Sequence, residues 1–200
     1  AAYVSDIIYT SDSGTNDILW NLTMKNGDTI SLSTRLTIEK QAAVTYFSED
    51  TPMETTEELN ALLASIEEVV SSETPVYLHL PAVTYDGDIV FGNHVWGIYG
   101  SSDGDDVTTF TGTVSLRGLN GNYAEMSGIQ FKGNSGIGVN AYCLTLLSQC
   151  SFDGWDTAAI ANNEAWVNDM DCTFTNNNIA LKFISSMDYG TAPNYLNYTF

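Results

Sequence analysis

Lysine and arginine are scarce, six residues against 25 aspartates and glutamates, which leaves a formal charge of −19. A surface this negative repels phosphate backbones and anionic lipid headgroups, so nucleic acid and membrane-surface partners are excluded as expectations. The same field opposes a polyuronate unless bound cations bridge it, whereas neutral glycans meet no such barrier. Long apolar runs are also lacking. Nothing approaches the ~18 residues of a membrane span, so no membrane insertion is expected. The three cysteines, Cys143, Cys150 and Cys172, form no C-x-x-C pair, which argues against a metal knuckle. Histidines number two, His79 and His94, and their spacing matches no repeat described below. They are read as unrelated strand residues rather than a shared base or metal pair.

What is present is a strand-forming vocabulary, 44% hydrophobic residues broken by Gly, Asn, Asp and Ser. Residues 1–54 read as a small β-rich N-terminal segment of short apolar runs such as Val4–Tyr9, Ile18–Met24 and Val44–Phe47. Asn26-Gly27 favours a tight turn because both residues tolerate positive φ, so Leu22–Met24 should pair antiparallel with Ile30–Leu32. Residues 55–72 read as one helix. Thr55-Thr56-Glu57-Glu58 matches a capping box, and Leu59, Leu62, Leu63, Ile66, Val69 and Val70 fall on one helical face. Such a helix suits a cap on the open end of a solenoid.

Residues 73–200 carry the repeat that decides the fold. Ile129-Gln130-Phe131-Lys132-Gly133-Asn134 aligns with Cys150-Ser151-Phe152-Asp153-Gly154-Trp155 and with Cys172-Thr173-Phe174-Thr175-Asn176-Asn177. The phenylalanines are 21 and 22 residues apart, and Tyr198-Thr199-Phe200 offers a fourth copy. Each repeat holds three short apolar steps. Coils stacked ~4.8 Å apart would align the phenylalanines, and the residues two positions before them, into inward ladders. Cys150 and Cys172 then neighbour one another on a ladder whose geometry strains a disulfide, and all three cysteines are expected as thiols. The fold class is therefore all-β, a right-handed parallel β-helix with one N-terminal capping helix.

The motif I/C-x-F-x-x-N followed by a G-I-like step, in Ile129 to Val139 and Cys172 to Leu181, resembles the pectate-lyase-like right-handed β-helix superfamily. The resemblance covers roughly the last 125 residues. It implies asparagines stacked at the turns of Asn134 and Asn177, and a fold shared with polysaccharide lyases, polygalacturonase-type hydrolases, phage tailspikes and many surface proteins without known activity, so that it is specific for fold and poor for function. The lyase R-x-P-x-x-R segment and the polygalacturonase N-T-D, G-H-G and R-I-K motifs do not occur.

Low lysine with abundant Asn, Thr, Ser and Gly suits an exported protein, secreted or at a bacterial cell surface. The expected function is binding or processing of a glycan or polysaccharide; the alternative is a non-catalytic structural or adhesin stalk. If it is an enzyme, a polysaccharide hydrolase or lyase, the catalytic pair is Asp169 and Asp171. They flank Met170, and in an extended segment with Met170 inward both carboxylates share the outer face, with Cα atoms ~6.6 Å apart, near the spacing of an inverting glycosidase. Asp153 from the neighbouring coil would raise the pKa of one partner, and Trp155 and Trp166 would stack on sugar rings. Asp103, Asp105 and Asp106 supply the oxygens that a Ca2+ site needs, though a solvated turn satisfies the same pattern, as it does for Asp12 to Asp17. Oligomeric state is left open.

Overall fold

In the computed structural model the described residues are 14–38, 43–70, 74–118, 123–162 and 165–184, without the side chains of 14–20 and 34–38. Val4–Tyr9, Asp12, Tyr198 and Phe200 lie outside them. The chain forms two compact units, residues 1–42 and 43–200.

Within the first unit, Gly14–Thr23 and Thr29–Ile38 pair antiparallel with Leu22 opposite Ile30, so the loop is Lys25–Gly27, one residue longer than the tight Asn26-Gly27 turn expected, and of the expected pair only Gly27 takes positive φ. Gly27 takes φ +90°, and the Asn26 side chain both donates to the Asp28 carboxylate (2.7 Å) and accepts from its amide (3.2 Å). The turn thus stabilises its own geometry.

The second unit is a parallel β-solenoid. Three sheets run along it, one of six strands and two of five, and the chain visits them in turn. The six-stranded sheet comprises Val44–Phe47, Val76–His79, Val95–Tyr99, Tyr123–Ser127, Leu144–Ser148 and Trp166–Met170. The second sheet comprises Thr84–Tyr85, Thr109–Phe110, Gln130–Lys132, Ser151–Asp153 and Thr173–Thr175; the third comprises Ile89–Phe91, Val114–Leu116, Ile137–Ala141, Thr157–Ala161 and Ile179–Phe183. The expected phenylalanine ladder is present: Phe131, Phe152 and Phe174 stack in register. It also extends further, through Phe110 to Tyr85, with successive ring centroids 5.1, 5.8, 4.5 and 5.1 Å apart from Tyr85 to Phe174. One residue per coil thus fills the core with aromatic surface.

After Val44–Phe47 the chain does not complete a coil but forms the helix Thr56–Val69, which packs on the first coil. The capping box is formed: Glu58 N–H donates to the Thr55 hydroxyl (3.2 Å) and Thr55 N–H to the Glu58 carboxylate (3.2 Å). Leu59, Leu63 and Ile66 are buried with Met53, and Leu62 and Val70 pack against them. Val69, expected on the same stripe, is 71% exposed because it lies at the last helical residue, where the chain turns extended at Val70. The Tyr85 hydroxyl donates to the Met53 carbonyl, and the Thr56 hydroxyl bonds both the Asp86 carbonyl (3.1 Å) and amide (3.0 Å), fixing the helix start to the first coil. No helix among the described residues is long and apolar enough to cross a membrane.

Candidate functional site

Strand alternation gives each sheet an outward row, and the rows differ in chemistry. In the second sheet the exposed outward residues are polar, among them Thr84, Lys132, Asp153, Thr173 and Thr175. The six-stranded sheet instead turns Phe47, Tyr77, His79, Tyr99, Tyr123 and Leu144 outward, while Val76, Leu78, Ile98, Met126 and Leu147 are buried beneath. An outward face so rich in apolar and aromatic groups is the usual mark of a binding surface.

Parallel register builds the aromatic part. Phe47, His79 and Tyr99 are successive partners across three strands. Their rings form a column, with centroids 4.6 and 5.0 Å apart and planes within 15° and 26°. Faces are used up inside such a column, so edges and polar tips meet solvent, except at Phe47, whose ring ends the column and is 44% exposed. Tyr77 joins from the adjacent row, 6.5 Å from Tyr99. Gly97 makes this possible: a Cβ there would lie 2.6 Å from Tyr77 Cδ1 and 2.8 Å from the Tyr99 hydroxyl. The register shift between Val76 and Tyr77 leaves Trp96 as an extra residue, and its buried indole N–H has no hydrogen-bond partner. A bulge of this kind re-aims the side chains that follow it.

Glu125 stands beside Gly97 in the register. Its Oε2 accepts from the Tyr99 hydroxyl at 3.3 Å. Burial, and after it the Glu125 charge, pushes the Tyr99 and Tyr123 hydroxyls above the ordinary phenol range, so both stay protonated at neutral pH. Among the described strands of this sheet, Glu125 and Asp169 are the only acidic side chains, and there is no Lys or Arg.

Asp169 and Asp171 do not share the outer face. Asp169 is in register with Leu147 and, through it, with Met126, Ile98 and Leu78, so it occupies an inward slot. Met170, expected inward, is outward and 52% exposed. Asp171 follows the strand with φ +56°, and Gln149 and Gly128, at the matching corners of earlier coils, have φ +53° and +68°. That left-handed corner swings the chain into the second sheet, which separates the two carboxylates. Burial raises the Asp169 pKa, and its Oδ1 is buried without a hydrogen-bond partner.

The remaining nominated residues are dispersed. Asp153 lies in the second sheet, paired with Lys132 and Thr175, and accepts from Asn176 Nδ2 at 2.8 Å. Trp155 is 3% exposed, and its indole N–H donates to the Phe131 carbonyl (3.1 Å), so it is a core residue and offers no sugar platform. Trp166 is half-buried on the outer face in register with Leu144 and donates to Asn168 Oδ1 (2.9 Å). Asp103 and Asp106 face each other across a two-residue antiparallel ladder, with Asp105 in its turn, and all three are exposed. Among the described residues no three His, Cys, Asp or Glu side chains converge as a metal centre requires.

His94 is buried, 3.5 Å from the Glu67 carboxylate of the helix, apart from the His79 column. Cys143, Cys150 and Cys172 are free thiols. Of the turn asparagines, Asn177 bonds the Trp155 amide (2.9 Å) and the Phe152 carbonyl (3.0 Å), whereas Asn134 is exposed with Trp155 at the intervening position.

Sequence reasoning missed Phe47, Tyr77, Tyr99, Gly97 and Glu125 as a group. The alternation Tyr77-Leu78-His79 was visible, but aligning it with Phe47 requires the pairing across the intervening helix. No family model, no curated protein and no solved structure matches the chain.

Proposed function

We propose that this chain is an exported module of the pectate-lyase-like β-helix kind, secreted or displayed at a cell surface, which binds a glycan along the outer face of its six-stranded sheet without cleaving it. The observation that supports this reading is the Phe47–His79–Tyr99 column with Tyr77 and Glu125 beside it. Tyrosine hydroxyls and a carboxylate hydrogen-bond sugar hydroxyls, while Phe47, Tyr123 and Leu144 offer apolar surface to C–H faces. The charge of −19 disfavours polyuronates. The inward slot of Asp169 and the corner position of Asp171 argue against the hydrolase alternative.

A glycan array followed by titration calorimetry tests the reading. One glycan class is retained, and Tyr77→Ala and Tyr99→Ala weaken it while leaving the circular dichroism unchanged. Absence of any retained glycan, or release of soluble fragments from it, overturns the proposal.

The stalk reading has its own support in side chains that bind coil to coil. Asn162 donates to Asn140 (2.5 Å), Asn178 to Asp156 (2.9 Å) and Asn176 to Asp153 (2.8 Å). Failure of all glycan binding would leave that reading.

A further inference from the structure

We infer that Glu125, with the hydroxyls of Tyr99 and Tyr123, forms a site for a primary ammonium group, so that the glycan taken by this face carries free amines. The identity of the carrier rests on the glycan reading above; the ammonium site rests on the local chemistry.

Glu125 is the one acidic side chain turned outward on the described strands of the sheet, since Asp169 takes an inward slot. It is half-buried, and no Lys or Arg of these strands neutralises it. Its one hydrogen bond among the described residues is the 3.3 Å contact from Tyr99. A carboxylate has about four acceptor sites, so capacity remains for further donors. Tyr99 donates its only hydroxyl proton to Glu125, which leaves the phenolic oxygen as an acceptor beside it. Tyr123 lies two residues before Glu125 on the same outward row, close enough for the carboxylate to raise its pKa.

The surroundings therefore present acceptors and negative charge. An ammonium supplies three N–H donors and one positive charge, the complement of that set. Gly97, next to Glu125 in the register, brings no side chain of its own, and Tyr77 and Tyr99 close over it. These aromatic walls exclude part of the water that would weaken an ion pair on an open surface. The protein's charge of −19 also draws cations toward the face. An N-acetylated sugar offers one neutral N–H in place of the ammonium, and a hydroxyl offers no charge.

The test is calorimetric titration of wild type and Glu125→Gln with three oligosaccharides of equal length, glucosamine, N-acetylglucosamine and glucose oligomers, in buffer acidic enough to keep the amines charged. Methylammonium is followed separately by chemical-shift changes of the Tyr99 and Tyr123 rings. The expected result is a preference of about tenfold to a hundredfold for the glucosamine oligomer, and Glu125→Gln abolishes that preference by weakening the amine far more than the neutral oligomers. If the neutral oligomers bind as tightly as the amine, in wild type and in Glu125→Gln alike, the ammonium site is refuted while the glycan reading stands. If no oligomer binds but methylammonium shifts the two tyrosines in wild type and not in Glu125→Gln, the site stands and the glycan carrier falls. Silence from every probe overturns both.

Discussion

Phe131 and Phe152 lie face to face, with ring centroids 4.5 Å apart and planes 4° from parallel. Phe174 continues the stack beyond Phe152 at 5.1 Å and 9°. A ring held on both sides leaves a hole that neither neighbour can close by moving alone. Phe152→Ala is therefore expected to cost ~3–5 kcal/mol, and Phe152→Leu distinctly less. Urea unfolding of the two variants checks the order; equal midpoints for both and for wild type would contradict the ladder as a main source of stability.

Coil-to-coil spacing sets a second expectation at two glycines. A Cβ on Gly112 would lie 2.1 Å from the Gly87 backbone, whereas one on Gly92 would meet only the far end of the Glu67 side chain. Backbone cannot yield without distorting the adjacent coil, but a carboxylate can swing away. Gly112→Ala should lose ~1–3 kcal/mol or more. Gly92→Ala should lose no more than ~1 kcal/mol, the worth of the displaced Glu67–His94 pair. Thermal melts of the pair read out the contrast, and a Gly92 variant as unstable as the Gly112 variant would count against it.

These glycines also show where sequence reading stopped. The phenylalanine repeat was legible because an apolar residue every 21 or 22 positions has little other explanation. Phe110, the next rung, escaped notice because Thr108 fills the slot that Ile129, Cys150 and Cys172 fill elsewhere. That threonine is fully buried, its hydroxyl donating to the Pro81 carbonyl (2.6 Å) and accepting from the Ser101 amide (2.9 Å), so the apolar pattern breaks while the coil does not. Trp155 reads as a surface aromatic by position. It is buried because Gly133, one coil earlier, leaves room: a Cβ there would sit 2.4 Å from the indole. Met170 and Asp169 invert the usual binary pattern, and register with Leu147 overrides hydrophobicity in deciding which one faces in. The outer aromatic face depends on pairing across the helix, which local pattern does not encode.

The thiols give a prediction about access. Cys150 is 1% exposed, and the neighbouring Cys172 thiol, together with burial, pushes its pKa well above the ordinary thiol range. Burial also raises Cys143. Cys172 is half-buried, and the neighbouring Cys150 thiol lowers its pKa and so favours its thiolate, the reactive form. Iodoacetamide under native conditions should modify Cys172 first, and all three cysteines only in denaturant. Peptide mapping that finds Cys150 labelled ahead of Cys172 would reverse this order.

Asp169 carries the pH dependence of the last described coil. Its pKa is raised by burial, so the folded state holds the proton more tightly than the unfolded chain. Stability from this group is fully present below the unfolded carboxyl value of about 3.9 and is lost as pH rises through the higher folded value. At neutral pH the ionised side chain sits in the slot that Leu147, Met126, Ile98 and Leu78 fill in earlier coils, with Oδ1 buried and unpartnered. Asp169→Leu should therefore stabilise the protein by about 1 kcal/mol at neutral pH, the cost of an unsatisfied buried acceptor. The gain should shrink as pH falls through the raised folded value, where wild type acquires its proton. Denaturation of both proteins across that range measures the difference directly. A gain independent of pH would assign the effect to packing alone, and a loss at neutral pH would mean that Asp169 has a partner on which the fold depends.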